Sequence, residues 1–297
     1  MRRMDDLLII VPVYVDPKEE VPPDLIERLL ILSDLGTLHV VAQGRQIDLI
    51  GRHAGTFLQY FEKPIGIWGA VREAWKFYQD RKRLEDIERV VLNLAPLYFD
   101  ADAVLQVARG LQYGIQHVVG WRDNIAASLS GNPAAGKSRA LAECFLTVLA
   151  SNRVSGIPNR SSDGFTGLQA ISIANFLTWR PSWQFQTTWG GALVMQLHSI
   201  HYKFSLTDSW LEHRGERTWA SSLGDDPMAV VRMLEKALTI NIFSNLQQDE
   251  VERAIKAVPA VFAMQEWLDK TTAGDEIREI IRFYNSAPDR RFLIPLS

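Results

Sequence analysis

The sequence predicts an α/β fold: an open, twisted, mostly parallel sheet flanked by helices and continued by a helical tail. Three observations carry this. Through the first 122 residues, short apolar or β-branched runs alternate with longer segments of helical period, as in βαβ units. The first of these runs, Leu7 to Val15, reads as a buried strand. From about Pro227 onward the period is helical only.

In chain order, strands are expected at Leu7 to Val15, Leu38 to Val41, Phe57 to Phe61, Arg89 to Leu94 and Gln116 to Trp121. Helices are expected near Asp24 to Leu35, Arg45 to Ala54, Gly69 to Arg83 and Ala101 to Tyr113. The first run follows Arg2 and Arg3 as a leader segment would, but it is short, contains Pro12 and lacks a small-residue cleavage site. In such sheets ligands bind beyond the carboxyl ends of the strands. That rule sends Val13 to Asp16, Gln43 to Arg45, Leu94 to Leu97 and Arg122 to Asn124 toward one cleft.

Beyond the fifth strand the chain turns polar from Asn124 to Pro133. A helix is expected from Ser138 to Ala150, a loop from Asn152 to Gly167, a helix from Gly190 to His201, a strand from Lys203 to Leu206 and a polar loop through Arg217. In the tail, Met228, Val231, Leu234 and Leu238 recur at helical spacing, as do Ile277, Ile280 and Ile281. Such helices either buttress the sheet or mediate dimerisation. The expected division is an α/β domain over residues 1–224 with a helical extension, 225–297, packed on it. There is no internal repeat or low-complexity tract.

Composition narrows the function classes. The 297 residues are 47% hydrophobic and 23% charged, ordinary for a globular protein. Lys and Arg number 32 against 35 Asp and Glu, a net charge of −3 that gives no general grip on nucleic acid. The single cysteine, Cys144, excludes an internal disulfide and a thiolate zinc site, and a reducing cytoplasm fits. No stretch reaches the roughly 20 apolar residues that cross a bilayer, so membrane contact would be peripheral.

Several residue types point to phosphate and sugar chemistry. Pro12 and Tyr14 end the first strand in an extended turn with a ring face for a nucleotide base; strand-end packing explains them equally. Gly66 and Gly69, ahead of the helix carrying Arg72, permit close backbone approach at a helix N-terminus that favours phosphate. Arg122, Arg139 and Arg214 come from three separated segments. Together they can surround a pyrophosphate or an acceptor phosphate; singly, each is explained by a surface salt bridge.

The order of motifs resembles the family-two glycosyltransferases, above all the branch of dolichol-phosphate mannose synthases and related bacterial enzymes. The similarity runs from Leu7 to Leu223 through LLIIVPVYV, KPIGIWGAVREAW, VVLNLAPLYFDADAV, VVGWRD, DGFTGLQAIS and HRGERTWASSL. It implies the GT-A fold, a UDP- or GDP-linked sugar as donor, an acceptor hydroxyl or phosphate, and single displacement with inversion. It also implies phosphate-binding roles for the arginines of VVGWRD, KSRALAE and EHRGER. Asp163, before GFTG, matches a position near the acceptor and is the candidate to take its proton; an Asx-turn before Gly164 accounts for it equally.

The sequence departs from that family at its acidic centres. Where an Asp-x-Asp pair would hold a divalent cation, this chain reads Asn93, Leu94, Ala95, Pro96. Asp100 and Asp102 follow, placed to cap the next helix, with metal binding as the alternative. Where Asp-Asp-Gly-Ser would meet base and ribose, it reads Ala42, Gln43, Gly44, Arg45, and Gln43 can still hydrogen-bond a base edge. The donor set is therefore Pro12, Tyr14, Gln43, Arg72 and Asn93. No metal ligand is assigned, and Mg2+ or Mn2+ stays open. Either cationic side chains replace the metal, or the chain is a binding or partner protein that has lost transfer.

Two other patterns compete. GNPAAGKS, Gly131 to Ser138, satisfies the phosphate-binding loop G-x-x-x-x-G-K-S and literally predicts a P-loop phosphotransferase, but DNIAASLS before it is a weak strand and Leu206 to Asp208 a poor magnesium motif. His198 and His201 share a helix without an evident third ligand, and His213 reads as a loop residue or cation ligand. Six of the nine tryptophans fall between Trp121 and Trp219; Trp189, beside Gly190 and Gly191, is the candidate for acceptor contact.

Overall fold

A computed structural model describes residues 3–49, 55–79, 84–97, 99–112, 114–122, 135–157, 165–179, 190–211, 227–261 and 270–297. Two compact units divide the chain. The first comprises Met1–Gly120, Thr166–Thr188 and His198–Leu211, the second Trp121–Phe165, Trp189–Leu197 and Glu212–Ser297.

The first unit is built on a mostly parallel sheet. Among the described residues its strands are β1 (Leu7–Val15), β2 (Thr37–Gly44), β3 (Thr56–Phe61), β4 (Arg89–Asn93), β5 (His117–Arg122), β6 (Leu168–Ser172) and β7 (Leu206–Leu211), in spatial order β3-β2-β1-β4-β6-β5-β7. β1 pairs in parallel with both β2 and β4, and β2 with β3. β6 runs antiparallel to β4 and β5 and separates them. β1 is buried at every position except Tyr14, as a central strand covered on both faces must be.

Helices cover both faces. α1 (Pro23–Ser33) starts with proline in its first turn, where a missing N–H costs nothing, and buries Leu25, Leu29 and Leu32. It belongs with α3 (Ala101–Gly110) to the core that includes Leu7, Ile9, Val11, Val13 and Val15. α2 (Ile67–Gln79) packs on β1 and β2 and buries Trp68, Val71, Ala74 and Tyr78. The short α5 (Ile173–Thr178) is tied to α2 by Trp75, whose indole N–H donates to Phe176 O at 2.9 Å, and Trp75 meets the buried Trp179 edge-on. α6 (Gly191–His201) ends in a left-handed Lys203, φ 57°, with Lys203 N donating to Ile200 O and Phe204 N to Ser199 O.

In the second unit, α4 (Ala135–Arg153) is the common partner of α7 (Pro227–Leu238), α8 (Gln248–Val261) and α9 (Lys270–Ser286). Arg153 fastens its end. The guanidinium pairs with Glu250 and donates to the carbonyls of Ile242 and Ser244. That pairing holds the Glu250 carboxyl below its usual range. Cys144 is buried in α4.

Most expected elements are present, and the differences are local. The expected helix from Arg45 is absent from residues 45–49: Ile47 and Leu49 are buried at alternate positions, so their spacing was that of an extended segment. β2 continues to Gly44 instead. Lys203 lies in the turn after α6, and the strand expected there begins only at Leu206. β6 was not foreseen as a strand.

Candidate functional site

The β1–β4 pairing stops at Ile10 and Leu92, while β1 stays with β2 to Val15 and Gly44. The sheet therefore opens between β1 and β4. Because β2 and β3 lie to one side of β1 and β4 to the other, this is also the point where strand order reverses, the place where open α/β sheets bind ligands. Pro12, which has no N–H to give a neighbour, sits two residues past the split.

Side chains alternate along a strand, and register partners in a parallel pair share a face. Tyr14 faces the same way as its partner Gln43, and Pro12 as Val41. This is the face α2 covers. The structure thus brings Pro12, Tyr14 and Gln43 together, with Tyr14 55% exposed. Asn93 does not join them. Leu92 pairs with Ile10 on the α2 face, which puts Asn93 on the other.

The residues that end β2 and follow it have definite structural work. Gln43 is buried, and its Oε1 accepts from Ile65 N at 2.8 Å, pinning the approach to α2 against the end of β2. Gly44 has φ +80°, and a Cβ there would collide with Val15 O and come within 2.9 Å of the Tyr14 ring. Tyr60 donates to Gly44 O at 3.0 Å. Arg45 donates to Glu19 O, closing the turn in which Lys18 N donates to Asp16 Oδ1.

α2 begins after Gly66, φ +78°, whose carbonyl accepts from Ala70 N. Arg72 lies in its second turn. The side chain is 40% exposed, and Nε is 3.4 Å from Glu73 Oε1, close enough for charge attraction but without hydrogen-bond geometry; among the described residues, this buried Nε has no hydrogen-bond partner.

After β4 the chain closes on itself. Asn93 is buried; its Nδ2 donates to Phe99 O at 3.3 Å and its Oδ1 accepts from Ala95 N at 3.3 Å, while Leu94 N donates to Gly167 O at 2.7 Å. Asp100 caps α3, its carboxylate accepting from Ala103 N at 2.9 Å, as expected. A divalent cation needs several hard oxygen ligands. At this strand end the candidates are a committed amide, an alanine and a proline, and no group of three or more His, Cys, Asp or Glu among the described residues could hold a metal. The described donor set does not fit one.

Of the remaining candidates, Arg139 lies in the second unit, its Nε donating to the buried Glu143 at 2.9 Å. Arg122 ends β5, with its side chain outside the described residues. Asp163, Trp189, His213 and Arg214 also lie outside them, as do Gly131–Ala134 of the GNPAAGKS stretch; Lys137 and Ser138 fall within α4.

A polar cluster that sequence reading missed lies away from the strand tips. Asn175 Nδ2 donates to Ser199 Oγ at 2.9 Å, Ser199 to His117 Nδ1 at 2.7 Å, and His117 Nε2 to Gln169 Oε1 at 2.9 Å, which defines the neutral tautomer. All four residues are buried. Burial pushes His117 down to about 4, opposed by the Gln169 hydrogen bond and reinforced by nearby His198, itself lowered to about 4 chiefly by burial. The sealed Ser–His pair admits no substrate. The only signal for it was a histidine inside an apolar run. A depression of about 550 Å³, lined by Glu88, Arg89, Leu111, Gln112 and Ser172, lies at the entry end of β4, opposite the strand tips, and its Arg89 is paired with Asp6 at 3.2 Å.

No family model matches the chain, and no curated protein matches it. Among solved structures the chain is similar to glucosyl-3-phosphoglycerate synthase from Mycobacterium tuberculosis. For the complex with Mn2+, UDP-glucose and phosphoglyceric acid, identity is 16%, coverage is 78% of this chain and 80% of that one, and the TM-score is 0.46. The UDP complex gives 15%, 78% and 80%, and 0.43; the phosphoglyceric acid complex gives 16%, 78% and 80%, and 0.45. At that identity and overlap the likeness carries no argument about this chain's chemistry.

Proposed function

We propose that this chain is a glycosyltransferase-type protein that binds a UDP- or GDP-linked sugar at the opening between β1 and β4. The observation that carries the reading is the switch point itself: the sheet parts after Ile10, and beyond the parting an exposed tyrosine is in register with Gln43, whose side chain holds the approach to α2. In this reading the base lies against Tyr14, and Pro12 keeps that strand end extended. Gln43 acts by holding the 62–66 approach to α2 in place. The diphosphate lies toward the first turns of α2, where oriented N–H groups and Arg72 favour negative charge.

Transfer joins an acceptor hydroxyl or phosphate oxygen to the anomeric carbon as the bond to the diphosphate breaks. On the motif resemblance alone, and with no placement relative to that opening, Asp163 is the candidate to take a hydroxyl proton, Trp189 to meet the acceptor, and Arg122, Arg139 and Arg214 to offset phosphate charge. Asn93 shapes the loop beneath the donor. The finer assignment to the dolichol-phosphate mannose synthase branch and a cytoplasmic location belong to the same proposal.

The second reading, a binding or partner protein without turnover, is favoured by the self-bonded Asn93 loop. A thermal-shift screen of UDP-, GDP- and ADP-sugars, in EDTA and in Mn2+, separates the two when followed by a transfer assay. A ligand at 100 times its Kd adds about 2.7 kcal/mol of stability. Stabilisation by a UDP- or GDP-sugar in EDTA is expected; stabilisation without hydrolysis or transfer favours the second reading. Silence from every sugar nucleotide overturns both, and stabilisation only by ATP with Mg2+, lost in Lys137→Ala, turns the assignment to a P-loop enzyme.

A further inference from the structure

We infer that the segment Pro288–Leu293 in the second unit is a docking surface for an anionic lipid bilayer. Every residue in it is exposed. Its two ends are fixed: Ala287 and Ile294 are buried, and Asn285 clasps Ile294 from both sides, Nδ2 donating to Ile294 O at 2.9 Å and Ile294 N to Asn285 Oδ1 at 3.0 Å. A stretch anchored at both ends and exposed throughout is a held surface segment.

What it displays is costly in water. Leu293 is 62% and Phe292 41% exposed, and Phe283 on the adjoining helix is exposed as well. Beside them stand two cations. Arg290 gives one N–H to Ala287 O at 3.0 Å, and Arg291, its side chain 77% exposed, has a solvent-screened contact with Glu235 at 3.5 Å. Asp289 is the one acid within the segment.

An aromatic and a leucine next to two arginines in sequence match the boundary between acyl chains and phosphate headgroups, where the apolar side chains enter and the arginines meet phosphate. Among the described residues no helix is long and apolar enough to cross a membrane, so this contact is peripheral. The inference is independent of the proposed donor site.

The test is co-sedimentation of the full chain with vesicles of phosphatidylcholine alone or with a phosphatidylglycerol fraction. Wild type should partition onto the anionic vesicles roughly tenfold more than onto the neutral ones, an excess that fades in high salt. The variant F292S/L293S should lose roughly tenfold of that partitioning with unchanged circular dichroism, because its altered side chains are already exposed. R290Q/R291Q should abolish the preference for anionic lipid while keeping the apolar pair. Failure of wild type to bind, or equal binding by both variants, overturns the inference. So does a lipid-free dimer in sedimentation analysis that F292S/L293S dissolves, which would make a second copy the occupant.

Discussion

Near the entry of β5, His117, Gln169, Asn175 and Ser199 are buried and bonded in one chain, whereas at the far ends of β1 and β2 the exposed Tyr14 sits where pairing with β4 has ceased. Both places are rich in polar side chains, so residue type alone does not tell them apart. Access does. The His117 chain resembles a catalytic relay in its spacing, yet its hydrogen bonds point inward and no surface reaches it. The strand tips are bonded too, but they leave Tyr14 open to solvent. A folding role for the first region follows from that contrast; the second is the region proposed above to bind the sugar nucleotide.

The largest effect that could break the contrast is in the buried chain. His117→Ala removes both of its hydrogen bonds and leaves a cavity, at a cost of roughly 2–4 kcal/mol in urea unfolding. Sugar-nucleotide affinity of the folded fraction should be unchanged. Loss of affinity without loss of stability would reverse the two roles.

Acid titration probes the same site. His117 is held at about 4 when folded against 6.5 when unfolded. The unfolded chain therefore takes up a proton first as pH falls. This contribution is fully present above about 6.5 and is lost toward pH 4, amounting to at most about 3 kcal/mol. His198 shifts in the same direction and adds to the fall. The His117→Ala variant should show a flatter stability profile between pH 6.5 and 4, and an identical profile would remove His117 as the cause.

A smaller effect is expected at the strand tips, in binding rather than folding. Tyr14→Ala should weaken the sugar nucleotide about tenfold, since a base stacked on an aromatic ring is worth about 1–3 kcal/mol, while stability moves by less than about 0.5 kcal/mol, as at other exposed sites. Smallest of all, Lys203→Gly relieves a left-handed residue at the end of α6 and should stabilise by about 0.5–1 kcal/mol with no change in binding.

How much of this was legible in the sequence differs by element. β1 carries its answer locally: nine apolar or aromatic residues with a single proline match the observed strand from end to end. Ile47 and Leu49 misled because an i, i+2 pair in a short window fits either period, and their burial is decided by packing. β6 was hidden because LQAIS is short and its neighbours come from β4 and β5, distant in sequence. At the site, the lack of paired carboxylates after β2 and β4 was plain in the sequence. What Gln43 and Asn93 do there was not: Gln43 holding Ile65, and Asn93 folded back on Phe99 and Ala95, are bonds to backbone groups that no residue pattern announces.

The central claim is that the opening between β1 and β4 takes a sugar nucleotide against Tyr14 without a divalent cation from the β4 end. Isothermal titration of UDP- and GDP-sugars into wild type and Tyr14→Ala, each in EDTA and in Mn2+, tests it most directly. The account predicts wild-type binding in EDTA, weakened about tenfold in Tyr14→Ala. Binding that appears only with Mn2+, or that is indifferent to Tyr14, would contradict it.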